Sequence, residues 1–369
     1  MKLLQIDRDA LLKPLQAVTG IVEKRHTLPI LSNVLLERKD NQLHLIATDL
    51  EIQVSTRCDL ERSSAEPQQL TVSARKLQDI LRSMPDGTSL SLDATNNRLQ
   101  IKAGKSRFNL QTLPAADFPR VSDSGPVLAK VRLEQKKLQE LLLLVQFAMA
   151  QQDIRYYLNG MLIVLEGEHI RVIATDGHRL SYASGTVATQ EEKREVILPR
   201  KAVLELSRLL GDVDEPIDIE LYANQVKFRF GAVELVTKVI DGKFPDYTRV
   251  IPTTYQKHVT LNRVQLLQAL QRAAILSNEK FRGVRWMLLE NSLRISCTNN
   301  EQEEAQEELE VEYPGEALDV GFNITYLLDV LNNVDSERID CAVGDANSSM
   351  LITVPERDDF RYVVMPMRI

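Results

Sequence analysis

Four consecutive residues, Asp176-Gly177-His178-Arg179, bring a carboxylate, an imidazole and a guanidinium together in a chain with only five histidines. A carboxylate beside a histidine is raw material for general acid–base chemistry. Gly104-Lys105-Ser106 has the lysine and hydroxyl that close a phosphate-binding loop, but the motif requires a glycine five residues before Gly104, where Leu99 stands. That segment also leads into the alternation of Arg107 to Leu113, a strand pattern where the motif needs a helix. His26, His44, His169, His178 and His258 show no metal-ligand spacing, so no metal or other cofactor is expected. No Ser/His/Asp grouping sits in a nucleophile motif. Cys58, Cys297 and Cys341 are scattered, which fits free buried thiols in a reducing cytosol.

The elements around Asp176 decide what the cluster is. It ends the stretch IRVIATDGHRL (Ile170 to Leu180), which is matched by LHLIATDLE (Leu43 to Glu51) and LRISCTNNEQE (Leu293 to Glu303). Asp49, Asp176 and Asn299 are equivalent and lie 127 and 123 residues apart. A period that long marks repeated domains, since solenoid units run to about 20–50 residues. The slot reads Asp-Leu-Glu, Asp-Gly-His and Asn-Asn-Glu, so its chemistry is not constant, and a tight turn at a strand end fits all three copies.

The repeat extends beyond the turn. Each copy opens with a helical stretch, Leu11 to Val18, Leu138 to Ala150 and Leu266 to Leu276, and has a second one later. The second helices are Ser73 to Met84, Pro199 to Leu210 and Asn323 to Val334, with apolar residues such as Leu77, Ile80, Leu81 and Met84 at helical spacing. Ser73 and Asn323 are candidate N-caps, and Pro199 suits a first turn. Alternating strands with Asn/Gly turns close each copy, and two copies end on Phe-Pro, at Phe118-Pro119 and Phe244-Pro245. The expected fold is α+β: three tandem pseudo-equivalent domains over 1–125, 126–253 and 254–369, each two helices backed by roughly eight antiparallel strands. Linkers are expected near Val121 to Pro126 and Ile251 to Tyr255.

Composition adds charge asymmetry. The net charge of −7 divides into +2 for residues 1–125, −1 for 126–253 and −8 for 254–369, and seven of the twelve residues from Glu301 to Glu312 are acidic. A solvated acidic strand is the plain reading; an electrostatic match to the basic first domain of another copy is the sharper one. Charge interrupts the N-terminal MKLLQIDRD at once, so no signal peptide is expected. No apolar run approaches the ~20 residues of a membrane span. The expected location is the cytoplasm, without a membrane partner.

QQDIRYYLNG (Gln151 to Gly160), ATDGHRL (Ala174 to Leu180), SNEKFRGVR (Ser277 to Arg285), TLPAADFP (Thr112 to Pro119) and YVVMPMRI (Tyr362 to Ile369) closely resemble the bacterial DNA polymerase III beta subunit family, the replicative sliding clamps. The resemblance runs in order along the whole chain. It implies a DNA-clamp fold and a head-to-tail homodimer closing a six-domain ring around double-stranded DNA. It further implies a processivity factor without an active site of its own, which serves the DNA polymerase III catalytic subunit, an ATP-driven clamp loader, and other polymerases and repair proteins. Geometry makes the ring reasonable: a ~120-residue domain is roughly 35 Å across, and six such spheres in a ring leave a hole of about 35 Å. Three would leave only about 5 Å, too little for a duplex roughly 20 Å wide.

Site roles follow from the resemblance. DNA contacts are expected from the second helices, through Arg75, Lys76 and Arg82 in the first domain and Arg200 and Lys201 in the second, and from Arg25, Gln151, Gln152, Tyr156 and Tyr157. Such cations reach phosphates without reading bases; solvated helix faces are the plain alternative, and one of the two tyrosines suits the core. The subunit interface would set Phe108 and Leu110 against Ile275 and Leu276, and Lys76, Lys105 and Arg107 against Glu301, Glu303 and Glu304. Phe108 and Leu110 share one strand face, which plain core would also explain. A partner-peptide pocket is expected from Leu158, Thr175, Gly177, His178, Arg179, Leu180, Pro245, Arg249, Val250, Asn323, Tyr326, Ser349, Val363, Met365, Pro366, Met367 and Arg368. Met365 and Met367 are adaptable side chains suited to several peptides. Two other readings stay open: a three-domain peptide-binding scaffold that does not encircle DNA, and an enzyme using Asp176 and His178.

Overall fold

The computed structural model describes residues 2–23, 27–60, 68–95, 97–121, 125–255 and 257–368. The first repeat comprises β1 (Lys2–Asp7), α1 (Arg8–Thr19), β2 (Asn33–Lys39), β3 (Gln42–Thr48), β4 (Ile52–Asp59), β5 (Gln68–Ser73), α2 (Ala74–Arg82), β6 (Ser89–Thr95), β7 (Arg98–Ala103) and β8 (Ser106–Leu113). The second has β9 (Ala129–Glu134), α3 (Gln135–Val145), β10 (Gly160–Thr175), β11 (Arg179–Pro199), α4 (Arg200–Leu209), β12 (Pro216–Leu221), β13 (Gln225–Phe230) and β14 (Val233–Lys238). The third has β15 (Lys257–Asn262), α5 (Arg263–Ala274), β16 (Gly283–Leu289), β17 (Ser292–Thr298), β18 (Glu304–Glu310), β19 (Leu318–Asn323), α6 (Ile324–Asn333), β20 (Arg338–Val343), β21 (Met350–Val354) and β22 (Arg357–Val364).

The second repeat has fewer strands because two are fused pairs. β10 and β11 pair from Gly160↔Pro199 to Leu165↔Arg194, as β2 pairs with β5, and again from His169↔Thr186 to Thr175↔Leu180, as β3 pairs with β4. The helices form where the sequence places apolar residues three and four apart: α2 buries Ala74, Leu77, Gln78 and Leu81. Asn323 caps α6 by accepting from Thr325 N. Ser73 holds the cap position of α2, but its side chain makes no cap bond. The helix expected through Ala150 is α to Val145 and then a single 3-10 turn, Gln146–Ala148. Cys297 and Cys341 are buried, but Cys58 is only half-buried, and burial, followed by Asp59, pushes its thiol up to about 11.

The chain divides into two compact units, Met1–Lys136 with Leu204–Val239, and Lys137–Val203 with Ile240–Ile369. The first holds a sheet in the order β1-β6-β7-β8-β5-β2-β3-β4-β14-β13-β12-β9, in which the last strand of repeat two, β14, hydrogen-bonds to β4 of repeat one. The second holds the sheet β10-β11-β22-β21-β20-β15, in which the last strand of repeat three, β22, pairs with β11 of repeat two. It also holds β18-β17-β16-β19, where β18, the counterpart of β4 and β11, is an edge. β8, the counterpart of β14 and β22, pairs along its length with β7 but meets β5 only at Thr112 and Leu113. Repeat boundaries are thus crossed by sheets, and the cut between units falls inside repeat two.

Candidate partner-binding groove and nucleic-acid face

The Asp176 cluster is a turn between β10 and β11. Asp176 Oδ1 accepts from His178 N (2.9 Å) and Arg179 N (3.1 Å), while Thr175 Oγ1 accepts from Gly177 N (3.1 Å) and donates to Arg179 O (2.6 Å). Gly177 has φ +90°, and a Cβ there would lie 2.9 Å from the Arg155 guanidinium. The left-handed backbone favours glycine here, and a side chain would also push the end of Arg155 aside.

The turn aims Arg179 inward, where its side chain is 9% exposed. Its guanidinium reaches Asp176 (3.1 Å), Asp329 on α6 (2.6 Å) and the carbonyl of Phe147 (2.6 Å), and lies 4.3 Å from the centre of the Tyr326 ring. Burial works against the charge, but Tyr362, Asp329 and Asp176 outweigh it and hold the pKa above the ordinary arginine value. With both acceptors and an aromatic face supplied, the buried cation is satisfied. The carboxylate of Asp176 is thus committed to the turn and to Arg179, and the imidazole of His178 is exposed. The acid–base pair that the sequence raises is not assembled.

β22 brings the tail to this turn. Leu180 pairs with Val363 and Arg179 with Val364, and Met365 N donates to His178 O (2.9 Å). Two residues on, Met367 N donates to Gly321 O (2.8 Å) on β19. The tail is therefore held on both sides, while Met365 stays 46% exposed. Below it, Leu180 and Val363 belong to a buried cluster with Leu162, Val164, Ile173, Tyr182, Ile197 and Phe244, against which Val250 and Tyr157 pack. Leu158 is buried and Thr175 nearly so. Pro245 and Arg249 are exposed, with Arg249 paired to Asp246 (3.0 Å). Ser349 Oγ bonds the Tyr255 hydroxyl (3.1 Å), immediately before Met350, which pairs with Val364. Strand pairing and α6 thus gather Arg179, Leu180, Tyr326, Val363 and the tail at Met365 around one strand end. Asp329 and Phe147, which fix Arg179, carried no sequence signal, because only the fold brings them there.

The loop before β10 is pre-built as well. Asp153 N donates to Asn159 Oδ1 and Asn159 Nδ2 to Asp153 O, while Arg155 grips the Asp153 carboxylate at 2.8 and 3.0 Å. Gln151 and Gln152 are exposed, and Gln152 has φ +57°. Tyr156 is 58% exposed, whereas Tyr157 packs on the core, as expected for one of the pair. Lys76 and Arg82 are exposed; Arg75 is exposed too but donates to Val22 O (2.7 Å). Arg200 is half-buried on Met149 O (3.2 Å), and burial, then Arg179, lowers its pKa, so it is less free to reach a phosphate than expected. Lys201 is partly buried. Arg25 lies outside the described residues.

The interface candidates fall on two edges. On β8, Arg107 is exposed and Phe108 and Leu110 are half-exposed on one face; Lys105 is exposed in the preceding turn. Ile275, at the end of α5, is 78% exposed beside the half-buried Leu276. Glu301, Glu303 and Glu304 are exposed at the start of β18.

Comparison with known proteins matches this arrangement throughout. Models of the DNA polymerase III beta subunit N-terminal, central and C-terminal domains match residues 1–122, 132–246 and 248–368. The chain is 48% identical over 365 residues to the beta sliding clamp of Pseudomonas putida, and 44% over 364 residues to that of Escherichia coli, covering 99% of both chains in each case. A crystal structure of the DNA polymerase sliding clamp from Pseudomonas aeruginosa with ligand superposes with a TM-score of 0.95 at 47% identity over all of both chains. A second, bound to griselimycin, gives 0.95 at 48% over 99% of each. With three repeats, three matching domain models and full-length relatives, the chain belongs to the DNA polymerase III beta subunit family and has the three-domain fold of the sliding clamps.

Proposed function

We propose that two copies of this chain close head to tail into a ring that slides on double-stranded DNA and tethers polymerase, with no catalysis of its own. The observation that carries this reading is a junction made twice and left open once. β4 takes up β14 and β11 takes up β22, while their counterparts β18 and β8 have free edges among the described residues. The two made junctions share a register: the residue three after the turn aspartate, Ile52 or Arg179, lies opposite Thr237 or Val364. In the third turn Glu303 takes that place, because its N–H reaches Asn299 Oδ1 as those of Ile52 and Arg179 reach Asp49 and Asp176. The β7–β8 and β13–β14 turns close at Ala103↔Ser106 and Phe230↔Val233, which sets Leu110 at the place of Thr237. A second copy would then lay Glu303 and Glu304 along Leu110 and Asn109, beside Arg107, the acidic edge against the basic one. Reciprocal pairing gives two identical junctions and a closed assembly.

In this reading the domains are 1–125, 126–253 and 254–369, and the ring interface is Phe108 and Leu110 on Ile275 and Leu276, with Lys76, Lys105 and Arg107 facing Glu301, Glu303 and Glu304. The DNA face is Arg25, Arg75, Lys76, Arg82, Lys201 and the Gln151-Gln152 and Tyr156-Tyr157 loop, with Arg200 in a supporting place. The groove around Met365 takes the short apolar segments of polymerase III, the clamp loader and other replication and repair proteins, and it is where griselimycin would bind. The protein works in the cytoplasm; no helix among the described residues is long and apolar enough to cross a membrane.

The test is retention on nicked circular duplex DNA after loading by a clamp loader. Retention at high salt that is lost when the circle is cut supports the ring, whereas loss from both at high salt overturns it in favour of a peptide-binding scaffold. Charge reversal at Arg107 with Phe108→Ala is expected to give folded monomers; an unchanged dimer mass refutes the interface.

A further inference from the structure

Beside the groove, against the β16–β17–β18 sheet, lies a cavity of about 440 Å³ that shares Met367 and Arg368 with the expected pocket and Glu304 with the expected interface, and whose remaining lining has no role above. Phe281, Arg285, Ser296, Thr298, Met367 and Arg368 line it, and Glu304 is the one carboxylate among its lining residues. That volume suits a few side chains of a bound ligand.

Its mouth is built, not loose. Asn278 Oδ1 accepts from Lys280 N and Phe281 N (both 3.0 Å), Arg282 N donates to Asn278 O (2.8 Å), and Ile324 N to Arg282 O (2.7 Å). Asn278 Nδ2 ties the turn to Asn300 (2.6 Å). The turn so fixed presents Phe281 to solvent at 60% exposure, with the Lys280 ammonium 5.4 Å from the ring centre. A large aromatic held outward by five hydrogen bonds spends order on exposing apolar surface, as a binding anchor does.

The charge around it runs against its surroundings. The third repeat carries net −8, yet Arg285 and Arg368 line this cavity, Lys280 sits over the Phe281 ring at its mouth, and Arg282 is the next residue of the same turn. Arg285 is paired with Asp319 (2.8 and 2.5 Å), whereas Lys280, Arg282 and Arg368 have no carboxylate partner among the described residues. Met367 and Arg368 belong to the tail that passes the groove, so the cavity adjoins the groove along the tail.

We propose that this cavity is a further compartment of the partner-binding site, taking the acidic flank of a partner segment whose apolar residues sit over Met365 and Met367. The inference rests on the peptide-binding reading above. Phe281 and Met367 give the flank an apolar wall, Ser296 and Thr298 offer hydroxyls, and the unpaired cations supply the attraction and its salt dependence.

Fluorescence anisotropy with the full-length dimer tests it. Three labelled peptides are compared: an anchor of two leucines and a phenylalanine, and the same anchor with three aspartates before it or after it. One extended peptide is expected to bind about fivefold tighter than the anchor at low salt, the gain that a few exposed ion pairs give, and to lose that gain at high salt. Arg282→Glu and the cavity-filling Thr298→Trp should each remove the gain while binding the plain anchor as the wild type does. No gain from either extension, or a gain that survives both variants, overturns the proposal. A gain that appears only after Ile275→Arg has separated the subunits assigns the cavity to the second copy and also overturns it. Failure of the plain anchor to bind the wild type would instead bring down the peptide-binding reading, and this proposal with it.

Discussion

The turns at Asp49 and Asp176 share one frame and do different work. In each, a threonine hydroxyl accepts from the N–H two residues on and donates to the carbonyl four residues on: Thr48 to Leu50 and Ile52, Thr175 to Gly177 and Arg179. In each, the aspartate Oδ1 accepts from the next two N–H groups but one, Glu51 and Ile52 or His178 and Arg179. Both place the residue after the aspartate at positive φ, +80° for Leu50 and +90° for Gly177. They part at the last position, which is a buried Ile52 in one and a buried, twice-paired Arg179 in the other. The repeat keeps a backbone device for starting a strand and varies what that strand carries first; under the proposed function, Arg179 is the residue that serves partner binding.

Truncating the two final residues should separate the turns most strongly. Ile52→Ala removes buried apolar volume and is expected to cost about 3 kcal/mol. Arg179→Ala leaves Asp176 and Asp329 without their cation and should cost a similar ~3 kcal/mol. Denaturant unfolding should therefore rank the two alike, while calorimetry with griselimycin should show binding kept in Ile52→Ala and lost in Arg179→Ala. Equal loss of binding in both would mean that Arg179 matters only through stability.

The position after the aspartate separates the turns more gently. Gly177→Ala meets both a left-handed backbone and the Arg155 guanidinium at 2.9 Å, and should cost about 2 kcal/mol. Leu50→Gly relieves the same backbone cost where the side chain is already 39% exposed, and should be neutral or stabilising by up to about 1 kcal/mol. A neutral Gly177→Ala would show that the turn has room that the structure does not display.

What the sequence reveals follows from range. The turns, the six helices and the capping by Asn323 depend on residues within a few positions of one another, and periodicity exposes them. The triple repeat is visible because the turn signature is local and recurs. The strands that cross repeat boundaries are not visible: nothing in Val233–Lys238 shows that its partner is Ile52–Asp59 and not a strand of its own repeat. For the same reason the five matched strings point to Arg179 as a groove residue but not to its partners Asp329 and Phe147, which come from α6 and the turn after α3. Arg200 shows the same limit from the other side, since helical position shows a cation but not the Met149 carbonyl to which it donates.

The smallest expected effect concerns the brace that only one of the two turns has. Arg155 Nη2 donates to Asp176 O (3.2 Å) and is itself held by the Asp153 carboxylate at 2.8 Å, whereas the outer end of the Asp49 turn is met by Lys238 on Glu51 (3.2 Å). The side-chain hydrogen bond from Arg155, followed by its backbone N–H, lowers the Asp153 pKa from 3.8 to about 2. A carboxylate depressed in the folded state contributes fully above its unfolded value and loses that contribution as the pH falls toward the folded one. The brace should thus stay intact through pH 4 and weaken only between about 4 and 2. Carbon-13 NMR of the Asp153 carboxyl should show a midpoint well below that of an ordinary aspartate, and Asp153→Asn should raise amide exchange at Gly177 and His178 while leaving Leu50 and Glu51 unchanged. An ordinary midpoint, or equal exchange in both turns, would mean that Arg155 merely lies beside the Asp176 turn, and that the two frames differ only in the residue with which each begins its strand.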